Sequence, residues 1–465
     1  MKRRHGVVLL VALAACGRND HDASPDSPPG PSSPPATSPE AKKQTPAKPA
    51  ESAPVVATPN YAKVGASSDH TCAIVRRVGE DIDRVKCWGS NANGELGLGD
   101  RTSRSGKDMG DALPFVPLPG VTSLLSIDAE SGRTCALQAS GDLWCWGEGR
   151  AVDPTDAPPP SPSTVPLPGA VTAFAMGRDH ACVVLKDASV RCWGGNRSGV
   201  LGSPTPAEPS AELEPVELGT DAQAVDVTAG QDHTCVLLST GRVKCFGDGM
   251  AGQLGLTDTE PRGTRPDQMG DALPFTDLGD GFLATAISAG GLHTCALSTS
   301  HSVACWGGNR VGQLGQGHTR SPGRKPGQSP KAASTPPPTD LGTHGETTML
   351  RAGGSHSCVL KGQGIKCWGW GTGMGDDPGE MGDALPLIDL GSDRRPVEVA
   401  AGDHSCAVVV TEAEPELGRL LCWGGSSAGA TGMDVDRWHF ERDGVMGDAL
   451  PFVDLGKNIH VVVPG

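Results

Sequence analysis

Large aromatic side chains are scarce in this chain. Tyrosine occurs once, phenylalanine seven times and tryptophan nine times in 465 residues. A core built on many rings is excluded, so Val, Leu and Ala must fill it together with the few tryptophans. Positive charge is short as well. Thirty-nine Lys and Arg stand against 54 Asp and Glu, a net charge of −15. Such a surface repels nucleic acid. No P-loop, lone Ser/His/Asp set or paired-carboxylate constellation is present, and no close Cys-x-x-Cys occurs. These absences leave no catalytic residues and no cofactor or metal to assign.

What is present is a repeat. "AGQDHTCVLLSTGRVKCFG" (229–247) places Cys235 and Cys245 ten positions apart, after a histidine and before an aromatic-glycine pair. The pattern recurs with Cys72 and Cys87, Cys135 and Cys145, Cys182 and Cys192, Cys295 and Cys305, Cys358 and Cys367, and Cys406 and Cys422. Seven copies at intervals of 47 to 63 residues account for fourteen of the fifteen cysteines. A period of this size signals a solenoid, a propeller or an array. It also argues against an enzyme, because an active site is usually the exception to a repeat.

The fifteenth cysteine belongs to the start of the chain. Lys2, Arg3 and Arg4 precede an apolar run, Val7 to Ala15, which is too short to span a bilayer and has the layout of a secretory signal. "LAAC" (13–16) resembles a bacterial lipobox, which implies cleavage after residue 15 and lipid on the Cys16 thiol. Gly17 at the second mature position implies sorting to the outer membrane or cell surface. Removing Lys2, Arg3 and Arg4 with the signal takes the net charge from −15 to −18. Residues 16–59 then read as a lipidated terminus and a Pro/Ser/Ala-rich tether, with eleven prolines between 17 and 59. Residues 60–465 hold the repeats and read as one domain. The compartment is oxidising, and paired cysteines there read as disulfides.

The spacing fits a hairpin. With Cys235 opposite Cys245, Leu237 faces Val243, and Ser239-Thr240-Gly241 form a three-residue turn with Gly at the left-handed position. With Cys358 opposite Cys367, the turn shortens to Gly362-Gln363, which again suits a hairpin. Facing cysteines are within disulfide reach, and closing a loop of about eleven residues stabilises by roughly 2–3 kcal/mol. Zinc is the rival, since His233 and Cys235 share a strand face. It is disfavoured because the second copy has Arg133 in place of the histidine and keeps both cysteines.

"HTCALSTSHSVACWGGNRVGQLG" (293–315) resembles the regulator of chromosome condensation repeat. "GSNANGELGLG" (89–99), "GGNRSGVLG" (194–202) and "GDGMAGQLG" (247–255) repeat its tail. The resemblance covers residues 60–465 and implies an all-β protein, a seven-bladed β-propeller of four-stranded blades. Eukaryotic members exchange nucleotide on a small nuclear GTPase and touch chromatin. An acidic exported protein is expected to have neither partner, nor any nucleic acid. Bacterial members include secreted propellers that inhibit β-lactamases.

Other repeated residues fall into place on that scaffold. His70, His180, His233, His293, His356 and His404 occupy one slot in six blades, where each is expected to satisfy a local backbone group at a strand entrance. Trp88, Trp146, Trp193, Trp306, Trp368 and Trp423, with Phe246, read as packing between blades. "MGDALP" occurs at 109–114, 269–274, 381–386 and 446–451 and reads as a blade connector. Residues 318–339 break the period and carry Arg320, Arg324, Lys325 and Lys331 with no acid before residue 339, a candidate binding loop for an acidic partner. The final "NIHVVVPG" (458–465) is an extra inner strand, expected to pair through Ile459 to Val463 with the blade of Cys72 and Cys87. "NYAKVGAS" (60–67) is the weaker candidate for that place. The sequence therefore points to a monomeric, non-catalytic binding propeller for an extracytoplasmic protein or surface polysaccharide. A protein inhibitor of an extracellular enzyme, or a glycan-processing enzyme of the envelope, is the alternative.

Overall fold

The computed structural model describes residues 61–148, 161–321, 335–425, 427–433 and 446–464. These form seven antiparallel sheets, one for each cysteine pair. The innermost strands touch one another in sequence order, and the last touches the first, so the ring closes. The middle strand of each blade shows why the sequence does not alternate. His233–Leu238 is buried at all six positions, because neighbouring blades cover both faces of the sheet. Cys235, Leu237, Val243 and Cys245 face the fifth blade and meet Ile287, Ala296 and Trp306. Val236, Leu238 and Phe246 face the third blade and meet Cys182, Val184 and Cys192.

Every cysteine pair lies directly opposite in register, Cys235 against Cys245 and Cys358 against Cys367 included, with Cα–Cα distances of 4.1 Å. All seven pairs are bonded, each within its own hairpin. The turns are as the spacing requires: Gly241 has φ +74° and Gly362 φ +59°. Ala188 and His301 hold the same left-handed turn position in the third and fifth blades without being glycine.

The fourth strand is present only in fragments. In the second blade Ser163–Thr164 pairs beside Cys145 and Trp144. Elsewhere isolated bridges stand in its place, such as Gly89 with Arg104 and Gly247 with Arg262. The chain then returns to bond the other end of the third strand, Val116 N–H to the Val85 carbonyl and Thr276 N–H to the Val243 carbonyl. Proline-rich connectors lack the N–H groups for a continuous ladder. Two separate touches still leave no long open edge.

The "MGDALP" connectors clasp the incoming chain of their own blade. In the fourth blade, Gly270 N–H donates to the Glu217 carbonyl, and the Asp271 carboxylate accepts from the N–H and hydroxyl of Thr220. Lys244 Nζ donates to the Leu218 and Gly270 carbonyls and lies 4.8 Å from the centre of the Phe275 ring. Lys86 and Lys366 repeat the arrangement in the first and sixth blades. The seventh blade has Leu421 at that position, and Arg394 reaches the Leu390, Gly447 and Leu450 carbonyls instead. The repeated aspartate is thus a connector cap, not an isolated acid.

Both chain ends close the ring. Ile459–Val461 pairs with Arg77 to Val75, and Val64–Ala66 pairs with Ala73 to Thr71. The two pieces meet at Ile74, whose N–H donates to the Lys63 carbonyl and whose carbonyl accepts from Val462 N–H. The other six inner strands carry a register shift at the matching place, between Ala224 and Asp226 in the fourth blade for example. A bulge already interrupts the ladder there, so a chain break costs little additional pairing. The N-terminal segment, the weaker candidate by sequence, therefore supplies half of the composite strand. Deleting residues 458–465 should lower the thermal midpoint by at least several degrees and promote oligomers through the opened edge. Deleting residues 20–50 should do neither. Calorimetry and light scattering on the two variants check this.

Candidate binding site at the axial mouth

Sequence suggests that each of the six repeated histidines satisfies a local backbone group; instead each reaches across to the next blade. Each Nε2 bonds the hydroxyl that follows the cysteine-strand histidine slot of the next blade. The pairs are His70 with Thr134 (2.9 Å), His180 with Thr234 (2.9 Å), His233 with Thr294 (2.8 Å), His293 with Ser357 (3.0 Å), His356 with Ser405 (2.8 Å) and His404 with Thr71 (2.6 Å). Thr134, Thr294, Ser357 and Thr71 donate their own hydrogen to a tail carbonyl of the preceding blade: Glu95, Gln253, Gln313 and Ala430. The same four carbonyls accept from Trp146, Trp306, Trp368 and Trp88. A hydroxyl that has given away its hydrogen must accept, so the imidazoles carry theirs on Nε2. Burial lowers His180 and His293 to about 3 and His233, His356 and His404 to about 4, which keeps those five neutral. With every sulfur of the repeats in a disulfide, these positions hold no thiolate for zinc.

The one exception explains itself. Arg133 stands where a histidine would face the third blade, and the third blade has Ala181 where the others have a hydroxyl. With no side-chain acceptor available, the longer guanidinium donates to the Gly177 and Arg178 carbonyls. Arg178 in turn pairs with Asp232 of the fourth blade. The two departures were visible in the sequence, but only the ring shows that they face each other.

On the axis, Arg351 is buried among the carboxylates of Glu398, Asp226 and Asp128, and burial lowers its pKa against their opposing field. Glu398 Oε1 accepts from Lys63 N–H and Val64 N–H, tying the seventh blade to the first. Its Oε2 lacks a partner, and burial raises its pKa to about 7.

At the end of the axis formed by the turns before the middle strands, a cavity of about 180 Å³ opens. Backbone bonds run around its rim from Gln231 to Gly291, Gly291 to Gly354, Gly354 to Gly402, and Asp403 to Ser67. These turns need glycine. A Cβ on Gly290 would stand 2.2 Å from the Gly353 carbonyl oxygen, and one on Gly353 2.4 Å from that of Gly402. The lining also includes Glu130, Ser131, Ser67 and Asp403, with the Asp403 carboxylate against Gly354 and the Gln231 amide against Gly291. Burial raises the pKa of Glu130, with Asp128 and Asp403 adding to it, and that of Asp403, with Asp69 adding to it. A repeated Ala-Gly, at 229–230, 289–290, 352–353 and 401–402, lines this site, and the residues beside it differ between blades.

Of the basic loop, Arg320 is exposed, while Arg324, Lys325 and Lys331 fall outside the described residues, as does Cys16.

Seven blades, a composite closing strand and a His-to-hydroxyl weld at six interfaces define a β-propeller built from chromosome-condensation-type repeats. A family model described as the RCC1-like domain matches residues 85–445, and the chain belongs to that family. The ultraviolet-B receptor UVR8 of Arabidopsis thaliana is 25% identical over 390 residues, 80% of this chain and 79% of the receptor. The mitochondrial RCC1 domain-containing protein RUG3 of the same plant is 26% identical over 366 residues, covering 72% and 76%. Among solved structures, yeast RCC1 (Prp20) bound to Kap60 aligns with a TM-score of 0.57 at 21% identity, over 76% of this chain and 81% of that one. Human WBSCR16 aligns at 0.58 and 21%, over 76% and 91%. These structural likenesses establish the fold.

Two outcomes follow from the weld. Arg133→His should cost about 1–3 kcal/mol, because a buried N–H would face Ala181 with no acceptor. Adding Ala181→Thr should recover most of it, which a denaturation double-mutant cycle measures. Side-chain ¹⁵N shifts should show His180, His233, His293, His356 and His404 neutral and protonated on Nε2 at pH 5, where an ordinary imidazole near 6.5 is charged. Their contribution to stability is complete above about pH 6.5 and is lost as pH falls towards the folded values of about 3 to 4.

Proposed function

We propose that this protein is an exported bacterial lipoprotein, held in the outer membrane or at the cell surface through Cys16. It displays a disulfide-stapled propeller as a non-catalytic binding module for an extracytoplasmic protein. One observation carries the reading. The chemically versatile residues of the repeat are engaged in holding the fold: histidines on hydroxyls of the next blade, and within each blade lysines on connector carbonyls and cysteines on each other. The axial mouth adds residues that differ between blades, Glu130, Ser131, Gln231 and Asp403, to the repeated Ala-Gly turns. Propellers recruit partners through such non-repeated faces, and the fold alone assigns no chemistry. The exposed Arg320 supports a second contact, in which the basic loop meets an acidic partner or surface polysaccharide.

Metabolic labelling with a fatty acid should mark the wild-type chain and not Cys16→Ser, whose propeller should melt unchanged. The soluble chain from residue 52, which contains the whole closed ring, should bind one envelope component saturably. Labelling that persists without Cys16 overturns the anchor, and a chain that retains nothing overturns the binding role.

A further inference from the structure

We infer that Cys406–Cys422 is a thiol-exchange site: of the seven disulfides it is the one that a small dithiol reaches in the folded protein, and the seam between the seventh and first blades gates it. All fourteen half-cystines are buried, none more than 4% exposed. Each pair packs against the aromatic ring of the following blade. An attacking thiolate must reach a disulfide sulfur directly, so this cover has to lift before exchange begins.

The covers are not held alike. For six disulfides the covering ring follows in the chain, 48 to 63 residues beyond the second cysteine. The chain between runs through a whole inner strand of six or seven residues. Trp88, which covers Cys406–Cys422, stands 334 residues before Cys422 and meets it only because the ring closes. The inner strand of its blade comes in two pieces of three residues, Val64–Ala66 and Ile459–Val461. Few polar contacts hold this seam. The Glu398 carboxylate accepts from Lys63 and Val64 N–H, His404 bonds Thr71, and the Thr71 hydroxyl and Trp88 indole donate to the Ala430 carbonyl. Short strand pieces open locally at lower free energy than continuous strands between consecutive blades. Parting the seam bares the face of the seventh blade that carries Cys406 and Cys422. Cys72–Cys87 lies in the blade across the same seam but faces the second blade, against Ile127, Ala136 and Trp146. It loses no more than Val462 from its cluster when the closing strand lifts.

Bond and seam support each other. Val461 N–H donates to the Gly418 carbonyl, so the hairpin stapled by Cys406–Cys422 holds the closing strand directly. Its cysteines are 16 positions apart, against 9 to 15 in the other six hairpins. Releasing the longest loop frees the most chain entropy. In the exchange, one thiolate of the dithiol bonds to a sulfur of the pair and the other sulfur leaves as a thiolate. The second thiolate of the dithiol then displaces the mixed disulfide. Cys406 and Cys422 end as thiols after taking up two protons, and the reductant ends as an internal disulfide. The reduced hairpin no longer holds Gly418 against Val461, and the seam stays open. A disulfide oxidant running the same steps backwards closes it.

The test exposes the full chain to dithiothreitol without denaturant, alkylates samples at intervals and maps the peptides by mass. Cys406 and Cys422 should be alkylated roughly tenfold faster than any other pair, Cys72 and Cys87 included. Glu398→Ala removes the acceptor of the Lys63 and Val64 N–H groups. It should speed this pair several-fold further and leave the other six unchanged. Protein reduced at this pair alone should show faster amide exchange at residues 64–66 and 459–461 than the oxidised chain. Equal rates at all seven pairs, first reduction at any other pair, or no reduction short of global unfolding overturns the inference. A folded Glu398→Ala chain with an unchanged rate at Cys406–Cys422 removes the seam as its gate, and unchanged amide exchange after reduction removes the coupling. The ranking of the seven pairs in the wild-type chain decides the site even if the variant fails to fold.

Discussion

The structure depends on one interface repeated seven times: the disulfide of one blade packed against the aromatic ring of the next. Cys72–Cys87 lies in one cluster with Trp146, Cys135–Cys145 with Trp193, Cys182–Cys192 with Phe246, and so around to Cys406–Cys422 with Trp88. A chain with so few aromatics spends most of its tryptophans here, one per interface. The disulfide presents a compact apolar face to the indole and at the same time fixes the hairpin that carries it. The indole N–H needs an acceptor once buried, and the tail carbonyl of the preceding blade supplies it. Packing and polar satisfaction are therefore met by the same residues.

That economy constrains what the repeat can vary. Where Phe246 replaces tryptophan, the Val200 carbonyl keeps only the Thr234 hydroxyl. Where Ala181 removes a hydroxyl, Arg133 replaces the histidine that would have used it. Where Leu421 replaces the connector lysine, Arg394 takes over its carbonyls. The last two departures each bring a compensating residue, although Arg133 donates through one terminal nitrogen and its buried Nε has no acceptor.

The mouth of the axis is where this constraint relaxes. The turns there bond to one another through backbone, so their side chains are free to differ, and glycine is demanded only where neighbouring carbonyls approach. Deeper on the axis, Arg351 and the carboxylates around it hold charge away from water. The surface acidity evident from composition thus has a counterpart along the axis, where Glu130 and Asp403 share one small space.

Much of the fold was legible in the sequence because it repeats. Seven copies of a cysteine strand, six of them His-x-Cys, each followed by a turn and a Cys-aromatic-Gly strand, determine the hairpins and the cysteine pairing, and the length of each turn sets the register. The chain-terminal apolar segment announced the closing strand, although its N-terminal half was obscured by Lys63, whose ammonium turns out to bond the Leu124 and Leu125 carbonyls. The partner of each histidine was not legible, because it lies on another blade, 49 to 64 residues away for five of them and 333 away for His404. Nor was the meeting of Arg133 with the third blade, or the approach of Glu130 to Asp403 from opposite regions of the chain. Local spacing fixes what happens within a hairpin; what two blades do to each other is decided only when the ring closes and brings non-repeated residues to a common axis.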